Sequence, residues 1–488
     1  MHFTRYAAGA FAAATLLGAS NAHAQTAATP APTSTPAQNN EDITALRHDM
    51  QSLRQEYEAR IADLEARLAR AEAAEGVAPT TPAGTPAPSD QTGASTASAD
   101  QSAPTDQSAP INTASNDAYS PPPPSAAAGP TSQNIYNPGI AAVLNGMFTA
   151  AQNDTGEGER ISGFSAGGDI AHPVRGFSLG ESEVSFSANI DPFLAGFLDF
   201  SIDNQNQISL EEAYIRTTGL PGGLTLKAGR FLSGIGYLNE RHAHDWNFSD
   251  APLPYRAFLN NQMGDDGVQI RWIAPTDQFL EFGAEAFRGE SYPASGGAND
   301  GAGAYTAFVH TGADFNDSSS YLAGLSYLHT RAVDRTDADG GVFNGSTDLG
   351  IATFVYKWAP HGNPLVNNLV VAAEFFYGRD SGAFNGIDFD QAHTGWYLQG
   401  VYQFMPQWSI GARVSGLQSD DPGLLLAGTD LNDFGHDPLD LTALVEYDTS
   451  EFGRLRLQYS HDEATPETND ILTLQYTVIY GPHGAHRY

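Results

Sequence analysis

The chain has 488 residues, with 57 acidic and 23 basic side chains and a formal net charge of −34. A protein this acidic is a poor ligand for nucleic acid or anionic lipid headgroups, and the absence of cysteine excludes disulfides and thiolate metal sites. Glycine (50 residues) and aromatic residues (10%) are abundant while charged residues make up only 16%, which is unusual for a soluble enzyme.

The N-terminus predicts export. Residues 1–24 combine a basic Arg5, an apolar stretch from Ala7 to Ala19 and a small-x-small cleavage site at Ala22–Ala24, which is the pattern of a secretory signal peptide. The stretch is too short for a stable membrane-spanning helix, and no later run reaches the roughly 18 apolar residues that such a helix needs. We expect the mature protein in the periplasm, in the outer membrane or outside the cell; the alternative is an ordinary N-terminal helix.

Residues 41–75 predict a coiled coil. Their apolar positions recur at heptad spacing with one irregular step at Tyr57. These positions are Ile43, Leu46, Met50, Leu53, Tyr57, Ile61, Leu64, Leu68 and Ala71. A lone amphipathic helix of this length is marginal in water, so its apolar stripe needs a partner. We expect the segment to join copies of the chain into a homotrimer; the alternative is an independent surface helix.

Residues 76–132 predict a disordered linker. The segment is rich in Pro, Ala, Ser and Thr, has four consecutive prolines at 121–124, and carries acidic but no basic residues. It cannot bury enough apolar area to offset the entropy lost on ordering. We expect a tether between the coiled coil and the rest of the chain.

Residues 133–488 alternate apolar and polar side chains with period two in several windows. The region carries 44 acidic and 17 basic residues, hence a formal charge of −27. In one window Leu472 and Leu474 share a face while Thr473 and Gln475 share the other, so the strand has an apolar and a polar side. A soluble β-sandwich alternates in the same way. However, these strands are about ten residues long, near the length that crosses a bilayer at a tilt, and aromatic residues cluster near their ends as at membrane interfaces.

The predicted fold class is therefore all-β: a closed transmembrane antiparallel β-barrel of about 16 strands, preceded by the short α-helical coiled coil and the linker. The strand centres lie near Phe148, Phe186, Phe197, Tyr214, Leu226, Ile270, Phe282, Phe308, Leu325, Phe354, Phe375, Leu398, Ile410, Leu444, Leu457 and Tyr476. Closure is required because hydrocarbon offers no water to the N–H and C=O groups of an open edge. At this strand number side chains do not fill the interior, so we expect an aqueous lumen.

The connections alternate in length, which is typical of bacterial outer-membrane barrels with short turns on one rim and long loops on the other. Tight connections are predicted at 191–192, 274–277, 405–407 and 450–453. Long loops are predicted at 151–180, 233–265, 288–303, 330–348, 378–394 and 417–439. The final Tyr488 suits the terminal aromatic residue of such barrels. We expect outer-membrane lipid and the barrel-insertion machinery as partners, and no nucleic acid.

The loop at 233–265 carries so many aromatic residues that we expect it to pack against the barrel wall. By analogy with sixteen-stranded porins, whose third loop on this rim narrows the lumen, its charged residues are assigned to a pore constriction. These are Glu240, Arg241, Asp245, Asp250, Arg256 and Asp265. The candidates on the facing wall are Glu183, Arg271, Glu281, Glu285, Arg454 and Arg456. The negative charge of the region favours passage of cations.

Two histidines in the same loop are weak candidates for a metal site. His242, His244 and Asp245 offer ligand types that Zn²⁺ or Cu²⁺ accept. A third ligand is not identifiable from the sequence, although His172 or Asp250 could serve. We favour hydrogen bonds that hold the loop in place as the role of these histidines, and we assign no metal site.

No catalytic constellation is present in the sequence. The Gly-x-Ser-x-Gly, Walker and HExxH patterns are all missing. A Ser/His pair assembled from distant strands is the alternative. We expect neither an enzyme nor a bound cofactor.

Several runs of the barrel region carry a family resemblance. They are Gly176–Glu183, Gly229–Glu240, His242, His244, Trp246, Asp250–Tyr255 and Gly264–Gly267. These runs resemble a family of proteobacterial outer-membrane proteins that is catalogued as porin-like or as zinc-regulated TonB-dependent receptors. A TonB-dependent receptor needs a plug domain and about 22 strands, whereas a coiled coil and a linker precede this barrel. The architecture is similar to that of specific porins that trimerise through an N-terminal coiled coil.

The resemblance also bears on selectivity. The phosphate-selective members of that porin group line their pores with lysine and arginine, whereas this chain has two lysines, Lys227 and Lys357. The sequence therefore predicts an outer-membrane channel for passive diffusion of small hydrophilic, preferably cationic, solutes, with its coiled coil in the periplasm. The alternatives are an outer-membrane metal or siderophore uptake receptor, and an envelope-tethering barrel whose coiled coil binds peptidoglycan.

Overall fold

The structure is a computed structural model that describes residues 138–155, 159–202, 207–294 and 301–481. The predicted signal peptide (1–24), coiled coil (41–75) and linker (76–132) lie outside the described residues, as does Tyr488. The strands among the described residues form one antiparallel sheet.

Sixteen strands make up this sheet. In chain order they are β1 (Gly139–Ala151), β2 (Gly176–Leu179 with Ser182–Asn189), β3 (Leu194–Ile202), β4 (Ile208–Thr217), β5 (Leu224–Leu232), β6 (Gly264–Ile273), β7 (Phe279–Phe287), β8 (Ala304–Asn316), β9 (Ser319–Thr336), β10 (Val342–Trp358), β11 (Asn368–Phe384), β12 (Ile387–Met405), β13 (Trp408–Ser419), β14 (Leu439–Ser450), β15 (Gly453–Glu463) and β16 (Asn469–Tyr480). The two segments of β2 count as one strand because both pair with β1. Each of the sixteen predicted strand centres lies within one of these strands, so that prediction is confirmed.

The sheet closes into a barrel because its first and last strands pair. Ala142 lies opposite Tyr480, and Ala151 lies opposite Ile471. Each of the other strands pairs antiparallel with its neighbours in the chain. The sheet therefore has no free edge, which is the condition for placing a β-structure in hydrocarbon.

Apolar side chains of the strands point outward and charged side chains point inward, which is the opposite of a soluble protein. On β15, Leu455 and Leu457 point outward and are 38% and 46% exposed, whereas Arg454 and Arg456 point inward and are 6% and 0% exposed. The same outward apolar face recurs around the barrel at Phe282, Leu325, Phe354, Phe375, Leu398, Ile410 and Leu474. Arginine is almost never buried unless paired, and apolar bands of this extent do not face water in soluble monomers. The outer face therefore suits contact with hydrocarbon.

Two of the predicted long loops are wrong. Residues 330–348 and 378–394 belong mainly to the long hairpins β9–β10 and β11–β12, whose connections are the short segments 337–341 and 385–386. Above the apolar band the outward side chains are polar, as in the exposed cross-strand pair Arg379 and Asp390. The alternation therefore stops there although strand pairing continues.

Most of the remaining connections follow the predicted alternation, but 203–207 and 464–468 on the long-loop rim have only five residues each, and 359–367 on the short-turn rim has nine. Short turns occur at 190–193, 274–278, 406–407 and 451–452, and long connections occur at 152–175, 233–263, 288–303 and 420–438. The second of these long connections contains a short helix, α1 (Leu253–Leu259). Among the described residues, no helix is long and apolar enough to cross a membrane.

Two β-bulges interrupt the wall formed by β1 to β4. Glu181 is the extra residue where β2 pairs with β1, and Glu211 is the extra residue where β4 pairs with β3. A bulge breaks the period-two alternation and turns a side chain to a new direction. The second bulge explains why the sequence alternates poorly before Tyr214.

A charge on the outer face tests the orientation of the barrel wall. Leu398 on β12 is 48% exposed and points outward. We expect Leu398→Arg to lower the free energy of unfolding from lipid vesicles by about 2–4 kcal/mol, the cost of arginine near the bilayer midplane. Asp388→Arg, at the exposed far end of the same strand, is the control and changes it by less than about 0.5 kcal/mol. Equal effects of the two substitutions would contradict the assigned orientation.

Candidate functional site: the lumen loop

The connection between β5 and β6, residues 233–263, lies inside the barrel and is called the lumen loop. Its two ends are held together by Asn239. The side-chain amide of Asn239 donates to the carbonyl oxygens of Ser233 (2.7 Å) and Met263 (2.8 Å), and its Oδ1 accepts from the Met263 N–H (2.7 Å). The lumen loop is therefore a compact loop with adjoining ends, of the kind that is frequently functional.

Helix α1 packs against β12 and β13, and the ring of its Phe258 lies against β11 and β12. Gly378 and Gly395 make room for this ring, because a Cβ atom there would lie 2.6 Å and 2.9 Å from Phe258 carbon atoms. The ring stacks on Phe376 at 5.7 Å and meets Phe164 edge-on at 5.5 Å. The predicted packing of the loop on the barrel wall is present in the structure.

Tyr255 of α1 anchors the lumen loop to Glu374 on β11. Its hydroxyl donates to Glu374 Oε2 (2.7 Å) and accepts from the N–H groups of Tyr237 (3.0 Å) and Leu238 (2.9 Å). Burial, together with the adjacent Glu374, raises the pKa of Tyr255 well above its usual value. The phenol therefore stays protonated and remains a donor at neutral pH.

Glu240 is the charged contact of the lumen loop with β5 and β6. It pairs with Arg271, and its Oε1 lies 3.6 Å from Nζ of Lys227. Burial alone would raise the pKa of Glu240, but Arg271 and Lys227 outweigh burial and hold its pKa below the ordinary value. Glu240 is thus ionised in a closed ion pair and does not face an open passage.

A row of arginines on β13 and β15 holds the opposite side of the lumen loop. Arg413 donates to Oδ1 of Asp250 (2.8 Å) and to its carbonyl oxygen (2.8 Å). Arg454 donates to the carbonyl oxygen of His244, and Arg456 donates to the carbonyl oxygen of Trp246. Basic side chains of the wall therefore bind the loop directly.

The first loop, residues 152–175, covers the lumen loop from the long-loop rim. Arg256 of α1 donates to the carbonyl oxygen of Ile170 (2.9 Å), to Asp462 on β15 (2.9 Å) and to Glu159 (3.1 Å). His172 Nδ1 lies 2.8 Å from Glu159 Oε2. One buried arginine thus joins the first loop, the lumen loop and the barrel wall.

His242 and His244 meet carboxylates of β2, β3 and β4. His242 Nδ1 lies 3.4–3.5 Å from oxygens of Glu183, Asp199 and Glu211, and His244 Nδ1 lies 2.7 Å from the other oxygen of Glu183. His172 and Asp250, named above as possible third ligands with these histidines, lie instead in the cluster of Arg256 and Arg413. The side chains that approach His242 were not identified as ligands from the sequence.

The other residues assigned to the constriction and the wall have separate positions. Arg241 lies over the ring of Tyr237 at 4.3 Å, and Asp245 Oδ1 is 3.5 Å from Nε2 of His244. Asp265 belongs to β6 and accepts from the N–H groups of residues 289 and 290, so it holds the 288–303 connection. The remaining wall acids have these partners: Glu281 contacts His310 (3.1 Å), and Glu285 accepts from the Gly234 N–H (2.9 Å).

The interior is more densely occupied than a sixteen-stranded wall alone implies. Inward-facing Gln269, Gln399 and Thr473 are only 3–4% exposed, because the lumen loop and the first loop lie against the wall. Toward the short-turn rim, inward-facing Ser187 and Glu446 are half-buried. The interior is therefore most closely packed where the lumen loop lies.

Sequence reasoning missed the two strongest wall contacts of the lumen loop, Glu374 and Arg413. Each is a charged residue within an otherwise apolar or small-residue stretch, at 368–378 and 408–417. A lone charge at an inward position of an apolar strand is the signal that could have found them, since such a charge is buried only with a partner.

Comparison with known proteins gives fold-level similarities. No family model matches the chain. An uncharacterized protein of Aquifex aeolicus is 27% identical over 399 residues, covering 73% of this chain and 81% of that protein. Among solved structures, the anion-selective porin from Comamonas acidovorans has a TM-score of 0.47 at 10% identity, covering 70% of this chain and 99% of that one. The outer membrane channel DcaP of Acinetobacter baumannii has a TM-score of 0.46 at 11% identity, with 70% and 97% covered.

The anchor at Tyr255 can be tested by removing one hydroxyl. Tyr255→Phe leaves two backbone N–H groups and Glu374 without this partner, so we expect the free energy of unfolding to fall by about 1–3 kcal/mol. Tyr459→Phe is the matched control, because that hydroxyl bonds Asp470 on the exposed outer surface and its loss costs at most about 0.5 kcal/mol. Chemical unfolding in detergent measures both. Equal losses would show that Tyr255 is not an anchor.

The cluster of His172 and Glu159 predicts a pH dependence. Burial and Arg256 would lower the pKa of His172, but Glu159 and Asp462 outweigh both and raise its pKa above the ordinary value of 6.5. The stabilisation from protonated His172 is therefore fully present below the unfolded pKa and is lost as the pH rises through the higher folded pKa. The measurement is the difference in free energy of unfolding between wild type and Glu159→Gln, from about pH 6 to about pH 9.

We expect this difference to shrink as the pH rises. Glu290→Gln is the control, since the surface ion pair of Glu290 is with Arg288 and involves no histidine. The difference in free energy of unfolding between wild type and Glu290→Gln stays constant with pH. A difference that grows with pH for Glu159→Gln would contradict the assignment.

Proposed function

We propose that the chain is an outer-membrane channel through which small hydrophilic solutes, preferentially cations, diffuse passively. The observation that carries the proposal is the closed barrel with an apolar outer face and a charged interior. A lipid-facing exterior places the barrel in a membrane, and a polar interior offers solutes a path that hydrocarbon does not. Passive diffusion depends on the position and charge of the side chains along the path and needs no catalytic group.

The lumen loop is the constriction of this channel. It narrows the interior through contacts with both sides of the wall, so the passage admits only small solutes. The charged residues assigned to this constriction hold the loop in the lumen: Glu240, Asp250 and Arg256 on the loop and Arg271, Arg454 and Arg456 on the wall. The formal charge of −27 over residues 133–488 attracts cations toward the mouth.

The proposal extends to orientation and assembly. Long loops face the cell exterior and short turns face the periplasm in bacterial barrels, so the short-turn rim opens to the periplasm. Three copies assemble through residues 41–75, which lie in the periplasm next to peptidoglycan, and the barrel-insertion machinery places the barrel in outer-membrane lipid.

The dense interior favours a second candidate, an envelope-tethering barrel. In this candidate the barrel is a membrane anchor and residues 41–75 bind peptidoglycan. A sealed interior suits an anchor, because an anchor needs no passage.

Conductance separates the two candidates. We expect the purified protein in planar bilayers to form channels of small conductance with a reversal potential that favours cations. When residues 241–261 are replaced by two glycines, the glycines link the adjoining ends of the lumen loop and the constriction is removed. We expect conductance to rise several-fold.

Deleting the exposed tip 423–425 of another long-rim connection is the control for shortening a loop, because Leu424 there is 96% exposed. We expect this deletion to leave conductance unchanged. An anion-selective reversal potential would contradict the cation preference. Absence of conductance in both wild type and the loop-shortened protein would contradict the channel and support the tether.

A further inference from the structure

We propose that Glu183, Asp199, Glu211 and His242 bind one divalent transition-metal ion of the Zn²⁺ class, which fastens the lumen loop to the wall of β2, β3 and β4. The site combines three carboxylates of the wall with one imidazole of the loop. It stands on geometry that is independent of solute passage.

The distances from His242 Nδ1 to the three carboxylates match a metal-ion coordination shell. One ligand atom from each side chain can be chosen so that all lie within 4.8 Å of one another. His242 Nδ1 is 3.4 Å from Asp199 Oδ2 and 3.5 Å from oxygens of Glu183 and Glu211. In a tetrahedral site with bonds of about 2.0–2.1 Å, neighbouring ligand atoms are about 3.4 Å apart. The Nδ1-to-oxygen separations therefore already equal the edges of such a tetrahedron.

The ring of His242 is oriented for this role. Its Nε2 lies 3.2 Å from Glu212 Oε2, so when Nδ1 binds a metal ion, Nε2 carries the hydrogen and donates it to this carboxylate. The Nδ1 lone pair then points toward the three carboxylates. A carboxylate that holds the far nitrogen of a metal-binding histidine is a common feature of metal sites.

The charges at this position call for a cation. Among the described residues, no lysine or arginine forms an ion pair with Glu183, Asp199 or Glu211. Elsewhere in the interior the loop acids face arginine, as in Glu240 with Arg271 and Asp250 with Arg413. Carboxylates this close cannot all be ionised without a positive charge between them.

A second observation points to a ligand. Asp199 is 1% exposed, and its Oδ1 is buried with no hydrogen-bond partner among the described residues. Leaving such an oxygen unsatisfied destabilises the fold, most of all when the group is charged. The other oxygen of this carboxylate, Oδ2, is the one that lies 3.4 Å from His242 Nδ1, so a metal ion bound by both oxygens of Asp199 supplies the missing interaction.

The bulges of the wall bring the carboxylates together. Glu211 is the extra residue of the β4 bulge, which turns its side chain inward beside Glu212, and bulges are frequent next to functional sites. The Glu211 side chain is 15% exposed, so one side chain of the cluster keeps contact with solvent.

The ligand types indicate the class of ion. Calcium and magnesium prefer sites made of oxygen ligands alone, whereas imidazole together with carboxylates suits Zn²⁺ and its neighbours in the first transition row. The site has no thiolate, because the chain has no cysteine.

Zinc binding by the purified full-length protein tests the site. Protein stripped of metal with a chelator is titrated with Zn²⁺ by calorimetry, and Mg²⁺ and Ca²⁺ serve as comparison ions. We expect one Zn²⁺ per chain, binding weakened at least 100-fold in Asp199→Asn and His242→Ala, and binding weakened about 10–100-fold in Glu212→Gln. His461→Ala is the matched control: His461 lies between Asp470 and Glu463 on the exposed outer surface, and its loss leaves the high-affinity site unchanged.

Thermal unfolding distinguishes loss of the metal site from failure of a variant to fold. Asp199→Asn removes a buried charge with little change of shape, so we expect the metal-free variant to be folded and at least as stable as metal-free wild type. Zn²⁺ then raises the Tm of wild type but not that of Asp199→Asn. Absence of Zn²⁺ binding to wild type, or an equal Tm increase in the variant, would overturn the site. Conductance of the metal-free protein is measured separately, so failure of the site and failure of the channel are distinguishable.

Discussion

The constraint on which the structure depends is the hydrogen bonding of backbone groups that no water reaches. Hydrocarbon forces the strands to pair on both sides, and the pairing of β1 with β16 completes the ring. Once the ring is closed, the pleat places alternate side chains outside and inside. Leucine and phenylalanine outside, with arginine and glutamate inside, follow from this single constraint and from the solvents on the two sides.

An interior lined by charged side chains then needs partners of its own. The lumen loop provides them: Tyr255 for Glu374, Glu240 for Arg271, and backbone carbonyl groups for Arg454 and Arg456. Each contact pairs a charged side chain of the wall and also holds the loop in place. The same contacts therefore stabilise the wall and narrow the lumen. Among the described residues, the carboxylates beside His242 form no ion pair with arginine or lysine although they lie close to one another, and this is the basis of the proposed metal site.

Alternation along the chain, together with the lengths of strands and connections, was enough to predict the barrel class and a centre within each strand, because lipid contact imposes period two on most of the strands. It did not predict the extended hairpins at 330–348 and 378–394, since their outward residues contact water and lose the apolar pattern. It also failed around Glu211, where a bulge shifts the period by one residue. The partners of the lumen loop were only partly predictable. The aromatic content of the loop indicated packing, but Glu374 and Arg413 are separated from it by more than a hundred residues, and register between distant strands is not visible in local sequence.

The most direct test of the closed barrel uses the absence of cysteine in the chain. Single cysteines are placed in turn at Leu472, Thr473, Leu474 and Gln475 of β16, labelled with a fluorophore, and the protein is inserted into vesicles that contain a lipid-bound quencher. The account predicts strong quenching at Leu472 and Leu474 and weak quenching at Thr473 and Gln475. Equal quenching at all four positions, or a protein that stays soluble without detergent and does not enter the vesicles, would contradict it.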